Sequence, residues 1–157
     1  MSTQTADTSV RLDIVVAAPV ERAFRFFTEE FHQVKPPEHN MLPVAVAATV
    51  MEPRAGGRVY DRGVDGSECQ WARVLVFEPP TKLVIAWDIN PQWQIDSDPE
   101  KASEVEILFI AKSAERTRVE LEHRHLDRHG EGWEGERDGV AEGWPLYLNR
   151  FSALLAD

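Results

Sequence analysis

A change of hydrophobic period along the chain constrains its fold more than any other feature. From Val44 to His125 short segments of alternating apolar and polar residues are separated by turn residues, which is typical of antiparallel strands. From Trp133 onward apolar residues recur every three to four positions, which predicts one long helix. We therefore expect an α+β domain in which a curved antiparallel sheet of about six strands surrounds a C-terminal helix. Such an arrangement leaves room for an internal cavity.

The N-terminal part of the chain divides into a tail and the start of the domain. Residues 1–9 show no useful apolar period and are predicted to be a disordered tail, while residues 10–157 are predicted to form a single domain. Val10–Val16 alternates as a strand with one buried face. Pro19 favours a helix start, and the apolar face of that helix, which runs to about Thr28, should be buried.

The predicted C-terminal helix contains a proline and glycines that weaken its backbone hydrogen bonding. Pro145 has no N–H group to donate to residue 141, and Gly139 and Gly143 weaken the turns around it. We therefore expect a kink or break of the long helix near residues 141–145.

Composition excludes several classes of function. The chain has 27 acidic and 17 basic residues, a net charge of −10 and a pI near 5.0, which argues against nucleic acid or an anionic membrane as partner. Its one cysteine, Cys69, excludes an internal disulfide framework and a multi-cysteine metal site. No run of about 20 apolar residues and no signal sequence are visible. These observations predict a soluble, cytoplasmic monomer or homodimer without a cofactor.

Counting the opposed residue pairs of a predicted hairpin places a histidine inside the domain. If Ala111 opposes Thr117 across the last hairpin, Val105 opposes His123 on the face towards the helix. His123 is then either a polar handle or general base for a ligand, or a core histidine satisfied by a backbone carbonyl or by Tyr147.

Two further histidines extend the pattern without making a metal site. His125 and His129 follow His123 with the spacing H-x-H-x3-H, but this spacing fixes no fourth ligand. We predict no metal.

Counting the residue pairs of the preceding hairpin in the same way places an arginine on the face of the sheet that points towards the helix. If Phe77 opposes Leu83, then Arg73 opposes Trp87. A guanidinium in this position either anchors an anionic group of a ligand or stacks on Trp87 with its charge at the sheet edge.

Several turn and packing motifs carry a family resemblance. They are Gly56-Gly57, Asp65-Gly66, Glu78-Pro79-Pro80, Trp87 at a strand end, and Gly143-Trp144 in the last helix. With these motifs the chain resembles the bacterial single-domain homologues of the activator of heat-shock-protein ATPase, in the START-like (SRPBCC) superfamily, over residues 10 to 156. The resemblance implies a helix-grip fold with a deep apolar cavity, usually without metal.

The expected ligand site combines aromatic residues of both layers. A cavity between sheet and helix should bind a small apolar or aromatic molecule. Its predicted lining is Phe27, Phe31, Tyr60, Trp71, Arg73, Trp87, His123, Trp144 and Tyr147.

Three functions remain open at this level. The first is a non-enzymatic protein that binds a small apolar ligand. The second, suggested by the superfamily, is a cyclase or dehydratase with His123 as general base and Arg73 or Tyr147 polarising a carbonyl. The third is a chaperone-linked protein-interaction module. The first is favoured because the sequence supplies only one confident inward-facing titratable group, whereas acid–base catalysis requires a convergent pair.

Overall fold

Eight antiparallel strands form one curled sheet in the computed structural model, which describes residues 3–6 and 8–156. The order across the sheet is β1-β2-β8-β7-β6-β5-β4-β3. The strands are β1 Thr3–Ala6, β2 Ser9–Val16, β3 Val46–Met51, β4 Arg58–Gly63, β5 Glu68–Glu78, β6 Lys82–Trp87, β7 Ser103–Ser113 and β8 Arg116–Arg124.

Three α-helices complete the fold of the described residues. They are α1 Val20–Glu29, α2 Phe31–Val34 and α3 Trp133–Leu155, and short 3-10 turns cover Pro99–Lys101 and Leu126–His129. The apolar stripe of α1 puts Phe24 and Phe27 into the core, where both rings contact Phe109 of the sheet. The α+β helix-grip architecture expected from the sequence is confirmed. No helix in the described ranges is long and apolar enough to cross a bilayer.

The sheet is larger than expected because the N-terminal segment joins it. Thr3–Ala6, predicted to belong to a disordered tail, pairs with β2 from Ala6 opposite Ser9 to Thr3 opposite Leu12. The edge of β2 offers unpaired backbone groups, and a short polar segment satisfies them without needing an apolar period of its own. Residues 1, 2 and 7 of the predicted tail lie outside the described residues.

The register predicted for the last hairpin is confirmed. Ala111 opposes Thr117 and Val105 opposes His123, and His123 is fully buried. Glu104 opposes Arg124 on the other face.

The register predicted for β5 and β6 is wrong beyond its first pairs. Phe77 does oppose Leu83, but a bulge between Val74 and Val76 shifts the pairing, so that Arg73 opposes Ala86. One extra residue in a strand reverses which face each following side chain occupies. Arg73 therefore does not share the inner face with Trp87.

Helix α3 is continuous from Trp133 to Leu155 with Pro145 inside it, so the predicted break is wrong. The packing of Trp144, Leu148 and Phe151, all nearly or fully buried, offsets the hydrogen bond that Pro145 cannot make. A bend of the helix axis at this point stays a prediction.

Candidate functional site

A pocket of about 710 Å³ lies between α3 and the sheet. Four parts of the chain enclose it: the segment after α2, the inner face of β4 to β6, the loop after β6, and one face of α3. Its lining residues are Lys35, Glu38, His39, Asn40, Met41, Asp61, Cys69, Trp71, Trp87, Ile89, Trp93, Gln94, Ile95, Gly139, Val140, Gly143, Trp144 and Tyr147.

A row of aromatic rings forms one wall of the pocket. The ring centroids of Trp71 and Trp87 lie 5.5 Å apart, those of Trp87 and Trp144 lie 5.7 Å apart, and those of Trp144 and Tyr147 lie 5.0 Å apart. These are the distances of favourable aromatic contacts. Adjacent rings are inclined to one another by 57–75°, and each of the four residues is only 3–7% exposed, so the wall offers the pocket a rigid apolar strip of limited area.

A buried ion pair lies at one end of the pocket. Lys35 Nζ is 2.6 Å from Asp61 Oδ2, and the two side chains are 7% and 2% exposed. Thr49 Oγ1 donates to Asp61 Oδ1 at 2.7 Å, and Trp71 Nε1 donates to the same oxygen at 3.4 Å. Three donors therefore stabilise the Asp61 carboxylate, which offsets the cost of burying its charge.

A second polar pair lies beside the first. The Tyr147 hydroxyl is 3.2 Å from His39 Nδ1. Burial raises the pKa of Tyr147, and the negative charges of Asp61 and Glu38 raise it further. Tyr147 therefore keeps its proton at neutral pH and can donate a hydrogen bond into the pocket.

Cys69 also lines the pocket without an activating partner. Burial raises the pKa of its thiol, as does the charge of Asp61. The thiol is therefore neutral at pH 7 and is not an activated nucleophile.

His123 lies behind the aromatic wall in a chain of buried hydrogen bonds. Trp144 Nε1 donates to His123 Nδ1 at 3.1 Å, and Ser103 Oγ is 2.8 Å from His123 Nε2 and 2.7 Å from His129 Nε2. Because an indole N–H only donates, His123 carries its proton on Nε2 and donates it to Ser103. Burial, and to a smaller extent the nearby His129, lower the pKa of His123 to about 3.

Glu136 of α3 lies at the other end of this buried cluster. Trp87 Nε1 donates to Glu136 Oε2 at 3.0 Å, while Oε1 is buried without a hydrogen-bond partner, 3.7 Å from His129 Nε2. Burial raises the pKa of Glu136 to about 7, although the bond from Trp87 acts in the opposite direction. Trp87 and Trp144, two of the three tryptophans of the wall, are thus held from behind by titratable groups.

The structure separates the sequence-predicted site residues into two groups. Trp71, Trp87, Trp144 and Tyr147 line the pocket as predicted. Phe27, Phe31, Tyr60, Arg73 and His123 are not among its lining residues.

Each residue of the second group has another role. Phe31 packs behind the wall, 6.2 Å from Trp71 and 6.1 Å from Tyr147, and Phe27 packs against Phe31 at 5.2 Å. The Tyr60 ring lies against Arg58, and its hydroxyl accepts a hydrogen bond from Arg62.

Arg73 is neither a ligand anchor nor stacked at the edge of Trp87 as the sequence suggested. Its guanidinium forms two 2.9 Å bonds with the carboxylate of Asp88. This bidentate pair follows from the β-bulge, which moves Arg73 off the inner face.

Sequence reasoning missed the polar end of the pocket. Lys35 and His39 lie in an irregular segment around Pro36-Pro37 that has no hydrophobic period to assign a face. Asp61 gave one usable signal, since it is an acidic residue inside the strand Arg58–Gly63 and lies between buried Tyr60 and Arg62. A carboxylate in such a position requires a buried donor, and that requirement points to an ion pair.

A second depression, on the outer face of the sheet, is a network of ion pairs. It measures about 390 Å³ and lies over β2, β7 and β8. Arg11 pairs with Glu122 at 2.8 Å, and Arg118 pairs with Asp13 and Glu120. Its charged groups are therefore matched to one another, and the aromatic pocket is the candidate functional site.

Comparisons with known proteins match the chain to one family model and to several solved structures. The family model described as "Activator of Hsp90 ATPase homolog 1-like protein" matches residues 17–156. A solved structure described as an anthrahydroquino-gamma-pyrone synthase complexed with SUM is 37% identical, with 94% of this chain and 96% of that chain covered and a TM-score of 0.67. No curated protein sequence matches.

Two further solved structures share the fold. The self-sacrificing resistance protein CalC from Micromonospora echinospora is 32% identical, with 95% of this chain and 94% of that chain covered and a TM-score of 0.72. Protein Ms6760 from Mycobacterium smegmatis is 21% identical, with 99% and 96% covered and a TM-score of 0.71. The second of these supports the fold alone.

Proposed function

Because this chain belongs to the family of Activator of Hsp90 ATPase homolog 1-like proteins, in which the helix-grip fold encloses a cavity, we propose that it binds a small, flat aromatic molecule. The observation that carries the proposal is the 710 Å³ pocket with its continuous wall of Trp71, Trp87, Trp144 and Tyr147. A mostly apolar cavity of this size with a few polar groups at one end is typical of small-molecule sites.

The form of the wall favours planar ligands over flexible ones. Its indole N–H groups are bonded behind the wall, Trp87 to Glu136 and Trp144 to His123, so the rings are fixed in place. A fixed aromatic surface binds a rigid flat molecule with little loss of conformational entropy. The relative at 37% identity supports this class, since its name describes a fused polycyclic aromatic compound.

A cyclase-type enzyme is the second candidate function, with a different base from the one the sequence suggested. His123 does not reach the pocket and both its ring nitrogens are bonded, so it is not the general base. His39 does line the pocket, and its Nδ1 is 3.2 Å from the Tyr147 hydroxyl. In this role His39 takes a proton from the bound ligand while Tyr147 donates a hydrogen bond to a ligand carbonyl.

A pair of glycine variants in α3 tests the binding function. Gly143 lines the pocket, and a Cβ built there meets no atom within 4 Å, so the β-carbon of Gly143→Phe fits without a clash and its ring is expected to occupy part of the pocket. Gly135 lies in the same helix outside the pocket and is equally free of contacts, so Gly135→Phe is the matched control. The ligands are anthracene, fluorenone and anthraquinone, and the measurements are tryptophan fluorescence and Tm.

The expected result is saturable quenching and a Tm that rises with ligand concentration in the wild type and in Gly135→Phe, with both effects lost in Gly143→Phe. Equal binding by Gly143→Phe and the wild type would place the ligand elsewhere. Absence of binding by the wild type across the panel would end the proposal and favour the protein-interaction hypothesis.

The enzyme and the binding protein differ in what His39 does. If the protein only binds, His39→Gln changes affinity and no ligand is converted by the wild type. If it catalyses ring closure, the wild type converts a suitable phenolic ketone, and His39→Gln lowers kcat with little change in binding.

A further inference from the structure

The Lys35 ammonium has hydrogen-bond donors that the protein does not use. An ammonium carries three N–H donors, and among the described residues Asp61 Oδ2 is the one acceptor bonded to Lys35 Nζ. The Lys35 side chain is 7% exposed and its Nζ lies 5.6 Å from the centre of the Trp71 ring, a contact that supplies no oxygen acceptor. Because Lys35 also lines the pocket, an oxygen acceptor for the remaining donors has to come from the pocket.

Asp61 does not require a donor from a ligand. Its two oxygens already accept hydrogen bonds from Lys35, Thr49 and Trp71. A ligand donor therefore gains little at Asp61, whereas a ligand acceptor gains a charge-assisted bond at Lys35.

Tyr147 adds a second donor at the same end when His39 Nδ1, 3.2 Å from the phenol oxygen, carries a proton and donates it to that oxygen, which leaves the Tyr147 proton for a ligand. Tyr147 lines the pocket, and the charge of Asp61, the partner of Lys35, acts on its phenol and helps to keep it protonated. The donors of Lys35 and Tyr147 thus serve the same region of the pocket.

The charges at this end select against an anion. The charge of Lys35 is matched by Asp61, and Glu38 adds a negative charge at the exposed rim. The charges around this end of the pocket therefore leave no excess positive charge for an anion. A neutral oxygen that accepts two hydrogen bonds fits this site better than an anionic one.

We propose that the ligand is an aromatic ketone, held with its neutral carbonyl oxygen at the Lys35 ammonium and the Tyr147 hydroxyl and with its rings along the tryptophan wall. This inference rests on the proposed binding function and names its ligand class.

Three tricyclic compounds that differ at one carbon test whether the ligand is an aromatic ketone. Fluorenone has a carbonyl at that carbon, fluorene has none, and fluorene-9-carboxylate places an anion there. Affinities are measured by tryptophan quenching.

Variants of the protein test whether the preference for the ketone depends on the donors of Tyr147 and Lys35. Tyr147→Phe removes only the hydroxyl, and the double change Lys35→Met with Asp61→Asn removes the ion pair without leaving one charge buried. Tyr60→Phe is the matched control, because the Tyr60 hydroxyl bonds Arg62 outside the pocket.

We expect the wild type to bind fluorenone about five- to tenfold more tightly than fluorene, the usual effect of one or two such bonds. Tyr147→Phe and the double variant should each lower this ratio towards one while fluorene affinity stays unchanged, and Tyr60→Phe should keep the ratio. Fluorene-9-carboxylate should bind no more tightly than fluorenone.

Other outcomes separate the inference from the proposed function. Equal binding of fluorenone and fluorene by the wild type overturns the ketone class and leaves the binding function intact. Tighter binding of the carboxylate overturns the neutral acceptor. Absence of binding for all three probes overturns both.

Discussion

Trp144 donates its indole N–H to Nδ1 of His123, and this bond determines what both residues do. It fixes His123 as the tautomer protonated on Nε2, and it holds the indole of Trp144, a lining residue of the pocket, in one orientation. His123 is therefore a positioning residue for the aromatic wall. A core histidine satisfied by Trp144 and Ser103 replaces the general base considered from the sequence.

Removing the His123 ring should destabilise the protein strongly. His123→Ala leaves the buried Trp144 N–H without its acceptor, breaks the bond to Ser103 and opens a cavity, so the free energy of unfolding should fall by about 3–5 kcal/mol. Urea titration measures the loss. His32→Ala, at an exposed position of α2, should change stability by less than about 0.5 kcal/mol. A loss below about 1 kcal/mol in His123→Ala would contradict the positioning role.

The stability of the protein should depend on pH through Glu136. Burial raises the pKa of Glu136 from its usual 4.5 to about 7, so the folded state holds this proton more tightly than the unfolded state. The resulting stability is fully present below pH 4.5 and is lost between about pH 4.5 and pH 7, by up to about 1.4 kcal/mol per pH unit; above about pH 8 the loss is complete, because Glu136 is then ionised in both states.

Glu136→Gln isolates this effect. The glutamine oxygen can still accept the bond from Trp87, but the side chain does not ionise, so its stability relative to the wild type should increase from pH 4.5 to pH 7 and then level off. Urea titrations at pH 4.5, 5.5, 6.5 and 8 measure the difference, with Glu134→Gln on the exposed side of α3 as control. A difference that stays constant across this range would show that Glu136 ionises normally.

The Lys35–Asp61 pair should be strongly coupled in stability. Asp61→Asn leaves the buried ammonium without a counter-charge, and Lys35→Met leaves the carboxylate in the same state, so each change should cost about 3–5 kcal/mol. The double variant should cost less than the sum of the two. A double-mutant cycle by denaturant titration measures the coupling, and additive losses would show that the two charges act independently.

Trp93 should control how fast a ligand leaves the pocket. Its backbone has a φ of 58°, which non-glycine residues rarely adopt, and its ring lies so close to Gly139 that a Cβ built there would be 3.0 Å from it. Trp93→Gly relieves the backbone and uncovers this edge of the pocket, so ligand dissociation should become several times faster while stability changes by about 1 kcal/mol or less.

The control for Trp93 is the other described non-glycine residue with a positive φ. His125 has a φ of 59° and does not line the pocket, so His125→Gly gives the same backbone change alone. Stopped-flow fluorescence measures dissociation. An unchanged rate in Trp93→Gly, or an equal increase in His125→Gly, would contradict a covering role for the Trp93 ring.

The parts of the fold that repeat a simple period could be predicted from the sequence. The β7–β8 register followed from one turn and the alternation of its strands, and it placed His123 inside correctly. The β5–β6 register failed because the alternation does not reveal where a strand bulges, and the extra residue near Leu75 moved Arg73. The polar end of the pocket was missed for a related reason, since Lys35 and His39 lie in a segment without a period.

The continuity of α3 illustrates the limit of local propensity. Pro145 and its neighbouring glycines predict a break, but the helix face with Leu148 and Phe151 gains more by burial than the missing bond costs. Local signals identified the weak turn correctly and the tertiary contacts decided its outcome.

Pro145 divides α3 into two units of unequal resistance to amide hydrogen exchange. Residues 146–155 include Leu148, Phe151 and Leu155, each 0–2% exposed, and their amides are released only when the core itself opens. Residues 133–143 contain three glycines and supply most of the pocket face of the helix, and no proline N–H ties Ala141 to the turn that follows. Residues 133–143 can therefore open locally and admit a ligand while residues 146–155 keep the sheet covered. Access to the pocket then costs only a fraction of the free energy of unfolding.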